Sequence, residues 1–457
     1  MSEYVPKDPK EYKLYQVGLF TDRNQHRVDI TKALVNLNIY ENIEKPYLTA
    51  NLTFADTSRV LEIMDFKGTE RVKIKLGLYQ TTDIIEKTFI VRSVADIVPS
   101  TDTDDVISLE LIEYDGFTGT LQILNKAYEG KPGFIISDML KDVYTNDKKL
   151  KENSLRDREL QAAFRYIAPN VNIFEGIEFI KTRATGLTGM PFYCYAALAD
   201  NDLRFYDLFD MIRSAPVNIQ EPYFYSSYIT QNANINVDIT RIASEMTSSN
   251  NDNTLQMLLA GNLGATYEFV DPTHALEYNF NFDMNKVFQN ILGPEAHPIA
   301  DTQTFFGAKR LSEYQTKRVN LLAPSLLYYD QKNPYEEYNT AAHGSKAVQK
   351  SIRGLLGQES ISITVPGLHC MPQGNDGNKT IGRVISFISL GDITQSDNEP
   401  IDRRRSGDYL IYASVHSFTQ DQYMCKMDLV KLSNFKGNTS VYSAPPTMNL
   451  DAGAGPQ

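Results

Sequence analysis

The chain has 457 residues, of which 42% are hydrophobic and 22% are charged. These proportions are typical of a globular protein, and the length predicts about two to four packed units. A net charge of −12 argues against a protein that grips nucleic acid through its phosphates, because such proteins need a concentrated basic surface. No apolar run approaches the ~20 residues that span a bilayer, so we expect no association with a membrane.

The N-terminus and the cysteines indicate the compartment in which the chain folds. Residues 1–8 are polar and lack the apolar core of a secretory signal, which predicts folding in a cytoplasm. Cys194, Cys370 and Cys425 are scattered and odd in number. They predict buried, unreactive thiols rather than a disulfide framework.

The first unit, residues 10–113, reads as a succession of short strands. From Val72 to Leu78 every second residue is apolar, as in a strand that buries one face. Turn-prone groups such as 99–105 separate the candidates. Strands without a strong helix between them predict a barrel or sandwich. The predicted strands are 33–40, 47–54, 71–78, 88–94 and 106–112.

A middle unit, residues 114–254, has mixed α+β character. Residues 132–144 place five apolar side chains on one helical stripe. A second helix is predicted to begin at Asn172, with Glu175 completing a capping box. Residues 191–195 and 203–206 then predict two strands around a polar turn.

The last part of the chain predicts a return to strands. A polar stretch, 247–254, precedes candidate strands at 255–263, 267–270 and 276–280. Residues 284–343 are irregular and rich in tyrosine. Alternation of Ile361, Ile363 and Val365 opens a final block that continues through 380–388, 408–416 and 423–432. The tail after residue 435 has too little apolar content to fold alone.

Three elements together resemble the hub proteins of contractile phage tail baseplates. The first is the succession Glu41, Pro46, Asp56 and Gly68-Thr69-Glu70 between strands. The second is the aromatic helix-and-strand region 172–209. The third is the run 361–367, followed after a loop by Ile381-Gly382 and another apolar strand.

The resemblance implies a β-rich α+β fold with two related antiparallel, tail-tube-like β-barrel domains and an α+β middle domain. It places the first barrel at 10–113, the middle domain at 114–254, the second barrel at 255–282 plus 347–435, an insertion at 283–346 and a tail at 436–457. Three such chains form a ring, so that six barrels face a sixfold tail tube and the other side faces a threefold spike.

The same resemblance implies a structural protein of the virion, assembled in the host cytoplasm, and not an enzyme. Its implied partners are two further copies of itself, the central spike protein and a tail-tube or tube-initiator protein; contacts with baseplate wedge proteins are compatible with it. DNA would pass through the lumen without specific binding. The C-terminal tail is expected to contact the spike through Tyr442, Pro445 and Met448.

Two other functions stay open at this stage. A spike adaptor of a contractile injection or type VI-like machine often carries its spike as a repetitive β-helix, and no such repeat follows Phe435. A tail-tip hydrolase would need a catalytic pair, yet no nucleophile elbow or distinctive carboxylate dyad stands out. Long non-contractile tails use related hub proteins, so the type of tail stays open as well.

Metal and cofactor sites find little support. His369 and Cys370 with His416 and Cys425 offer zinc ligand types, but adjacent residues of one strand point to opposite faces. Residues 102–105 resemble a calcium loop, yet Val106 occupies the next required oxygen position. No phosphate-binding glycine loop is present. We therefore predict no metal site and no cofactor.

Overall fold

A 13-stranded, largely antiparallel sheet organises the computed structural model of the chain. The structure describes the following residues: 11–21, 26–57, 59–64, 66–79, 83–99, 105–144, 148–152, 164–184, 189–225, 239–250, 254–271, 276–292, 305–314, 317–322, 342–356, 359–372, 377–390, 402 and 405–431.

The described elements run in the following order. The strands are β1 (Tyr12–Phe20), β2 (Arg27–Asp29), β3 (Leu34–Asn42), β4 (Thr49–Asp56), β5 (Arg71–Leu78), β6 (Ile84–Pro99), β7 (Asp105–Glu113), β8 (Ile123–Leu124), β9 (Ala127–Gly130), β10 (Leu150–Glu152), β11 (Phe164–Ile167), β12 (Val171–Asn172), β13 (Phe192–Ala196), β14 (Leu203–Asp207), β15 (Tyr223–Tyr225), β16 (Glu245–Asn250), β17 (Gly264–Asp271), β18 (Leu276–Asp283), β19 (Phe305–Phe306), β20 (Lys309–Arg310), β21 (Lys317–Leu322), β22 (Glu359–Pro366), β23 (Val384–Ser389), β24 (Gly407–Phe418) and β25 (Tyr423–Val430). The helices are α1 (Val60–Met64), α2 (Tyr114–Leu121), α3 (Pro132–Val143), α4 (Ile173–Arg183), α5 (Leu208–Arg213), α6 (Thr254–Ala260), α7 (Met284–Leu292) and α8 (Ala342–Leu355), with 3₁₀ turns at Ile239–Arg241, Leu311–Glu313 and Gly367–Cys370.

Two halves make up the large sheet. Its strand order is β16-β22-β25-β24-β3-β4-β7-β6-β5-β1-β2, with β23 beside β24 and β15 beside β23. We call β1–β7 the first half and β15, β16 and β22–β25 the second half. The prediction of a β-rich α+β fold with antiparallel sheet is confirmed. Among the described strands, however, no pairing closes either half into a barrel.

The halves meet where β3 pairs with β24. Their antiparallel register runs from Leu37 opposite Phe418 to Asn42 opposite Ala413. On each side of this junction the next strand in the sheet is the one that follows in the chain, β4 after β3 and β25 after β24. The junction therefore joins residues more than 370 positions apart into continuous hydrogen bonding, with His416 and Ile39 paired near its middle.

Alternation in the sequence determines which face of each strand is buried. Val72, Ile74 and Leu76 of β5 are fully buried, as the pattern predicted. Ile361, Ile363 and Val365 of β22 are buried in the same manner. The strands predicted for the first unit are present, with β6 longer than expected, and β1 is an additional strand that pairs with β5.

Local sequence signals also located two helices of the middle region, residues 114–213, whereas α2 and α5 were not predicted. The stripe predicted for α3 is buried, including Ile135 and Met139. Asn172 caps α4 by accepting a hydrogen bond from the Glu175 amide, and the Glu175 side chain completes the predicted capping box. The two predicted strands 191–195 and 203–206 pair as β13 and β14 around the turn 197–202.

Several predictions for residues 247–343 were wrong. The run 255–263 was expected to be a strand, but 254–260 form α6; a short apolar run does not distinguish helix from strand. β17 and β18 exist, but they form a separate three-stranded sheet with β21, in which β17 pairs with both β18 and β21. The supposed polar break at 247–254 instead begins inside β16, the edge strand of the large sheet. The irregular segment from 284 begins with α7. The division into five domains stays a prediction.

Candidate functional site: buried charges at the junction

Charged residues occupy inward positions of several strands of the large sheet. In β3, Glu41 follows Leu37 and Ile39 on the buried face. In β24, His416 lies between Ser414 and Phe418 on the buried face. A charge in phase with the apolar residues of a strand is costly to bury without partners, so each predicts a specific contact.

Glu41 accepts hydrogen bonds from the middle region and from the second half of the sheet. Its Oε1 accepts from the Leu198 amide at 2.6 Å. Its Oε2 accepts from Thr380 Oγ1 at 2.7 Å, from the Ser414 hydroxyl, and from His416 Nε2 at 3.0 Å. One carboxylate thus joins the first half of the sheet to both other parts of the chain.

The imidazole of His416 extends this network. Because the Glu41 carboxylate only accepts hydrogen bonds, His416 Nε2 carries a proton, and Nδ1 hydrogen-bonds the Tyr423 hydroxyl at 2.7 Å. Both Glu41 and His416 side chains are inaccessible to solvent. Burial alone would raise the pKa of Glu41, but the charge of His416 and the hydrogen bonds of its partners outweigh it and lower that pKa to about 2.

A second buried charge pair fixes the same turn of the middle region. Lys87 of β6 lies on the inward face, where its Nζ is 3.3 Å from Glu113 Oε1. The same Nζ donates to the carbonyl oxygens of Ala197 and Asp200 and to Asn201 Oδ1. The turn whose Leu198 amide donates to Glu41 is therefore also bound to Lys87 of β6.

The environment of Glu113 keeps this carboxylate charged. Burial would raise its pKa, but the charges of Lys87 and Lys148 and the Leu48 amide lower the pKa of Glu113 below its ordinary value. Its Oε2 accepts from the Leu48 amide at 3.1 Å. The Glu113 carboxylate thus keeps its charge inside the protein.

A third cluster connects helix α4 to the end of β3. Lys181 is 2% exposed in its side chain and pairs with Glu44 at 2.8 Å and Glu178 at 2.6 Å. Arg353 of α8 approaches Glu44 at 4.0 Å, and Tyr412 of β24 hydrogen-bonds it at 3.4 Å. The end of β3 is therefore bound to α4, α8 and β24 together.

The acidic residues of the sequence resemblance all prove to be buried carboxylates. Asp56 accepts from the Val60 amide at 2.6 Å and the Leu61 amide at 3.1 Å, which caps α1. Glu70 is fully buried and accepts from the amides of residues 67–69, which closes the turn before β5. Together with Glu41 these side chains determine how successive strands connect.

The pH dependence of stability tests the role of Glu41. Its pKa falls from 4.5 to about 2 on folding, which corresponds to about 3 kcal/mol of stability. A lowered pKa means that this stability is present above pH 4.5 and is lost as the pH falls towards 2. We expect the difference in unfolding free energy between wild type and Glu41→Gln to shrink over that window in urea titrations. A difference independent of pH would contradict this assignment.

The residues considered as metal ligands have other partners in the structure. His369 Nε2 hydrogen-bonds Thr240 at 2.7 Å, whereas His416 bonds Glu41. Within the part of the chain that the structure describes, no group of three or more His, Cys, Asp or Glu side chains is arranged to hold a metal ion. Asp102 and Asp104 lie outside the described residues.

The predicted spike-contact residues Tyr442, Pro445 and Met448 also lie outside the described residues. Among the helices that the structure does describe, none combines the length and apolar character needed to cross a bilayer. The buried charges, which sequence reasoning did not single out as a site, are the most specific polar feature of the described fold.

The fold is similar to that of a solved tail protein. No protein-family model matches the sequence, and no curated protein matches it. The tail protein from Neisseria meningitidis MC58 superimposes with a TM-score of 0.52 and 12% sequence identity, covering 92% of this chain and 96% of that chain.

Two further structures with similar coverage are prophage tail proteins. The 43 kDa tail protein of prophage MuSo2 from Shewanella oneidensis has a TM-score of 0.49 and 10% identity, covering 91% of this chain and 97% of that chain. Tail protein gp18 from Listeria monocytogenes EGD-e has a TM-score of 0.45 and 10% identity, covering 94% and 97%. At 12% sequence identity, the similarity to the Neisseria protein is a similarity of fold. Membership of the hub family stays a prediction.

Proposed function

We propose that this chain is a structural hub of a phage tail baseplate. Three copies form a ring that adapts the sixfold tail tube to the threefold central spike and continues the DNA conduit, without catalysing a reaction. The main support is the fold likeness to a tail protein over 92% of this chain and 96% of that one. The hub role and the trimer go beyond this likeness of fold.

The arrangement of the sheet is compatible with a ring. The path of described strands ends at β16 on one side and at β2 on the other. These two edges differ, so contact between one protomer's β16 edge and the next protomer's β2 edge would be head to tail. Head-to-tail contacts form a closed ring when the rotation that relates neighbouring protomers is a whole fraction of a full turn. Two sheet halves per chain would then present six related surfaces to the tube.

The charge of the chain suits a conduit better than a DNA-binding surface. A net charge of −12 repels phosphates and favours passage of DNA over binding. We further propose that the spike binds the C-terminal tail at Tyr442, Pro445 and Met448, that the tube or tube initiator binds the opposite side, and that wedge proteins bind outside the ring. The protein would act in the virion after assembly in the host cytoplasm.

The mass of the purified protein in solution tests the hub. We expect light scattering during size exclusion to give three times the chain mass of 51.7 kDa, and negative-stain images to show a ring with an open centre. Where the chain alone is monomeric, the same run with the spike protein of the same tail is expected to yield the trimer. A monomer under both conditions would refute the ring.

Truncation after residue 435 separates the ring from spike binding. The shortened chain retains all described strands, so we expect the trimer to persist while spike binding weakens at least tenfold. Substitution of Tyr442, Pro445 and Met448 by alanine is the matched full-length control and should weaken binding similarly. Unchanged spike binding by the truncated chain would eliminate the tail contact but leave the ring intact.

A further inference from the structure

A row of three cations lies on the outward face of β5. Arg71, Lys73 and Lys75 alternate with three buried apolar residues, so their side chains share the face opposite to the core. Alternate residues of a strand are about 6.6 Å apart, which spaces the three charges evenly along one line. This row is locally basic although the whole chain has a net charge of −12.

The two lysines of the row already stabilise one carboxylate. Glu86 of β6 pairs with Lys75 at 2.9 Å and also with Lys73. Hydrogen bonds from Lys73 and then from Lys75 lower the pKa of Glu86. One carboxylate between two ammonium groups leaves a net positive charge, and the lysine side chains are 34% and 33% exposed. A second carboxylate can therefore approach them from solvent.

An apolar cleft lies at one end of this row, against helix α2. Its lining includes Arg71 and Ile90, which are opposite each other in the register of β5 and β6, together with Tyr114, Phe117 and Leu121 of α2. The Arg71 guanidinium lies 5.3 Å from the centre of the Tyr114 ring. The volume of the cleft is about 300 Å³, at the lower end for ligand-binding clefts, which suits one large side chain.

The cleft and the lysines together favour one kind of occupant. The cleft offers aromatic and aliphatic contacts, whereas the row beside it attracts carboxylates. Alternate side chains of an extended peptide have the same spacing as the cations of β5. An apolar residue in the cleft, followed by acidic residues two and four positions away, would therefore bring its carboxylates to Lys73 and Lys75.

A nucleic acid fits this surface less well. Its phosphates would interact with the lysines, but single-stranded nucleic acids are held mainly by stacking of bases on exposed aromatic rings. The side chain most exposed in the lining of the cleft is aliphatic, since Leu121 is 66% exposed. Burial of that side chain needs an apolar group of the partner.

We propose that the surface formed by the cleft, Lys73 and Lys75 binds an extended acidic segment of a partner protein, whose large apolar side chain enters the cleft. Attraction between the lysines and the carboxylates accelerates association, and burial of the apolar side chain contributes to affinity. This surface lies on a face of the sheet and not at its β16 or β2 edge, so the inference does not depend on the proposed ring.

Fluorescence anisotropy with a labelled peptide and the full chain tests the proposal. The peptide Glu-Ser-Glu-Ser-Phe-Ser-Glu-Ser-Glu reads the same in both directions, so either direction of binding is covered. We expect binding to weaken about tenfold or more when Gln replaces every Glu, and similarly when Ala replaces Phe. Rising salt concentration should also weaken binding of the acidic peptide.

Variants of the protein locate the binding surface. Lys73→Glu/Lys75→Glu is expected to weaken binding of the acidic peptide about tenfold or more, because the new charges repel it. Leu121→Ser should weaken binding about fivefold, because it removes an apolar contact of the cleft. Lys426→Glu is the matched control: Lys426 is exposed on β25 in the second half of the sheet, and its reversal should leave binding unchanged.

Three results would overturn the inference. The first is a wild-type chain that does not bind the acidic peptide, or that binds the Gln peptide equally well. The second is peptide binding that both Lys73→Glu/Lys75→Glu and Leu121→Ser retain. The third is tighter binding of a labelled single-stranded oligonucleotide of thymidines, lost in the lysine variant, which would assign the surface to nucleic acid. The peptide comparison uses the wild-type chain, so misfolding of a variant cannot mask the answer.

Discussion

Replacing Glu41 with alanine is expected to lower the free energy of unfolding by about 3–5 kcal/mol. The substitution removes the acceptor of four buried donors, one of which is the imidazole of His416. It also opens a cavity where β3 meets β24. Urea denaturation of both proteins at pH 7, followed by circular dichroism, measures the difference.

Glu110→Ala is the matched control for this experiment. Glu110 lies on β7 in the same half of the sheet, but its side chain is exposed on the opposite face and bonds only the Ser93 hydroxyl among the described contacts. We expect its loss to change the free energy of unfolding by about 0.5 kcal/mol or less. If Glu41→Ala costs no more than Glu110→Ala, the junction carboxylate is not an important source of stability.

Apolar alternation was sufficient to predict most strands of the large sheet. The same alternation also shows which charged residues occupy buried positions of a strand. Glu41 follows Leu37 and Ile39 at the same spacing, and Lys87 lies between Ile85 and Phe89. Such a residue predicts that the strand has a buried polar partner, although the pattern does not name it. The sequence could therefore have identified one residue of each buried contact, such as Glu41 or Lys87, but not its partner.

The other half of each contact depends on pairing over long distances in the chain. Glu41 meets donors that are 157, 339 and 375 positions away. Each part of the chain could satisfy its own alternation in several relative arrangements, so local patterns do not determine which strand lies beside β3. The same limit explains β17 and β18: their strand character was predicted, but their placement in a sheet with β21 was not.

Buried charges give the junction a single register. Because side chains alternate along a strand, a slip of one residue between β3 and β24 would separate Glu41 from Ser414 and His416 and break the buried hydrogen bonds between them. A purely apolar junction would tolerate such a slip more easily.

Lys87→Ala is expected to destabilise the fold by about 3–5 kcal/mol, because it leaves the Glu113 carboxylate buried without its cation. It also leaves the carbonyl oxygens of Ala197 and Asp200 without their donor. Replacing both charges, as in Lys87→Met/Glu113→Gln, should cost clearly less than the sum of Lys87→Met and Glu113→Gln alone, which complete the cycle with wild type. Urea denaturation of all four proteins gives the coupling energy of the pair.

Lys75→Ala is the control that shows what the loss of an ordinary, partly exposed lysine costs, compared with the loss of the buried Lys87. Lys75 lies on neighbouring β5 and pairs with Glu86 at 2.9 Å, but its side chain is 33% exposed. We expect its loss to cost less than about 1 kcal/mol, because water screens the pair. Additive costs for the Lys87 and Glu113 variants would contradict the pairing. A coupling of about 2 kcal/mol would establish that Lys87 and Glu113 stabilise the first half of the sheet as an ion pair and not as two independent side chains.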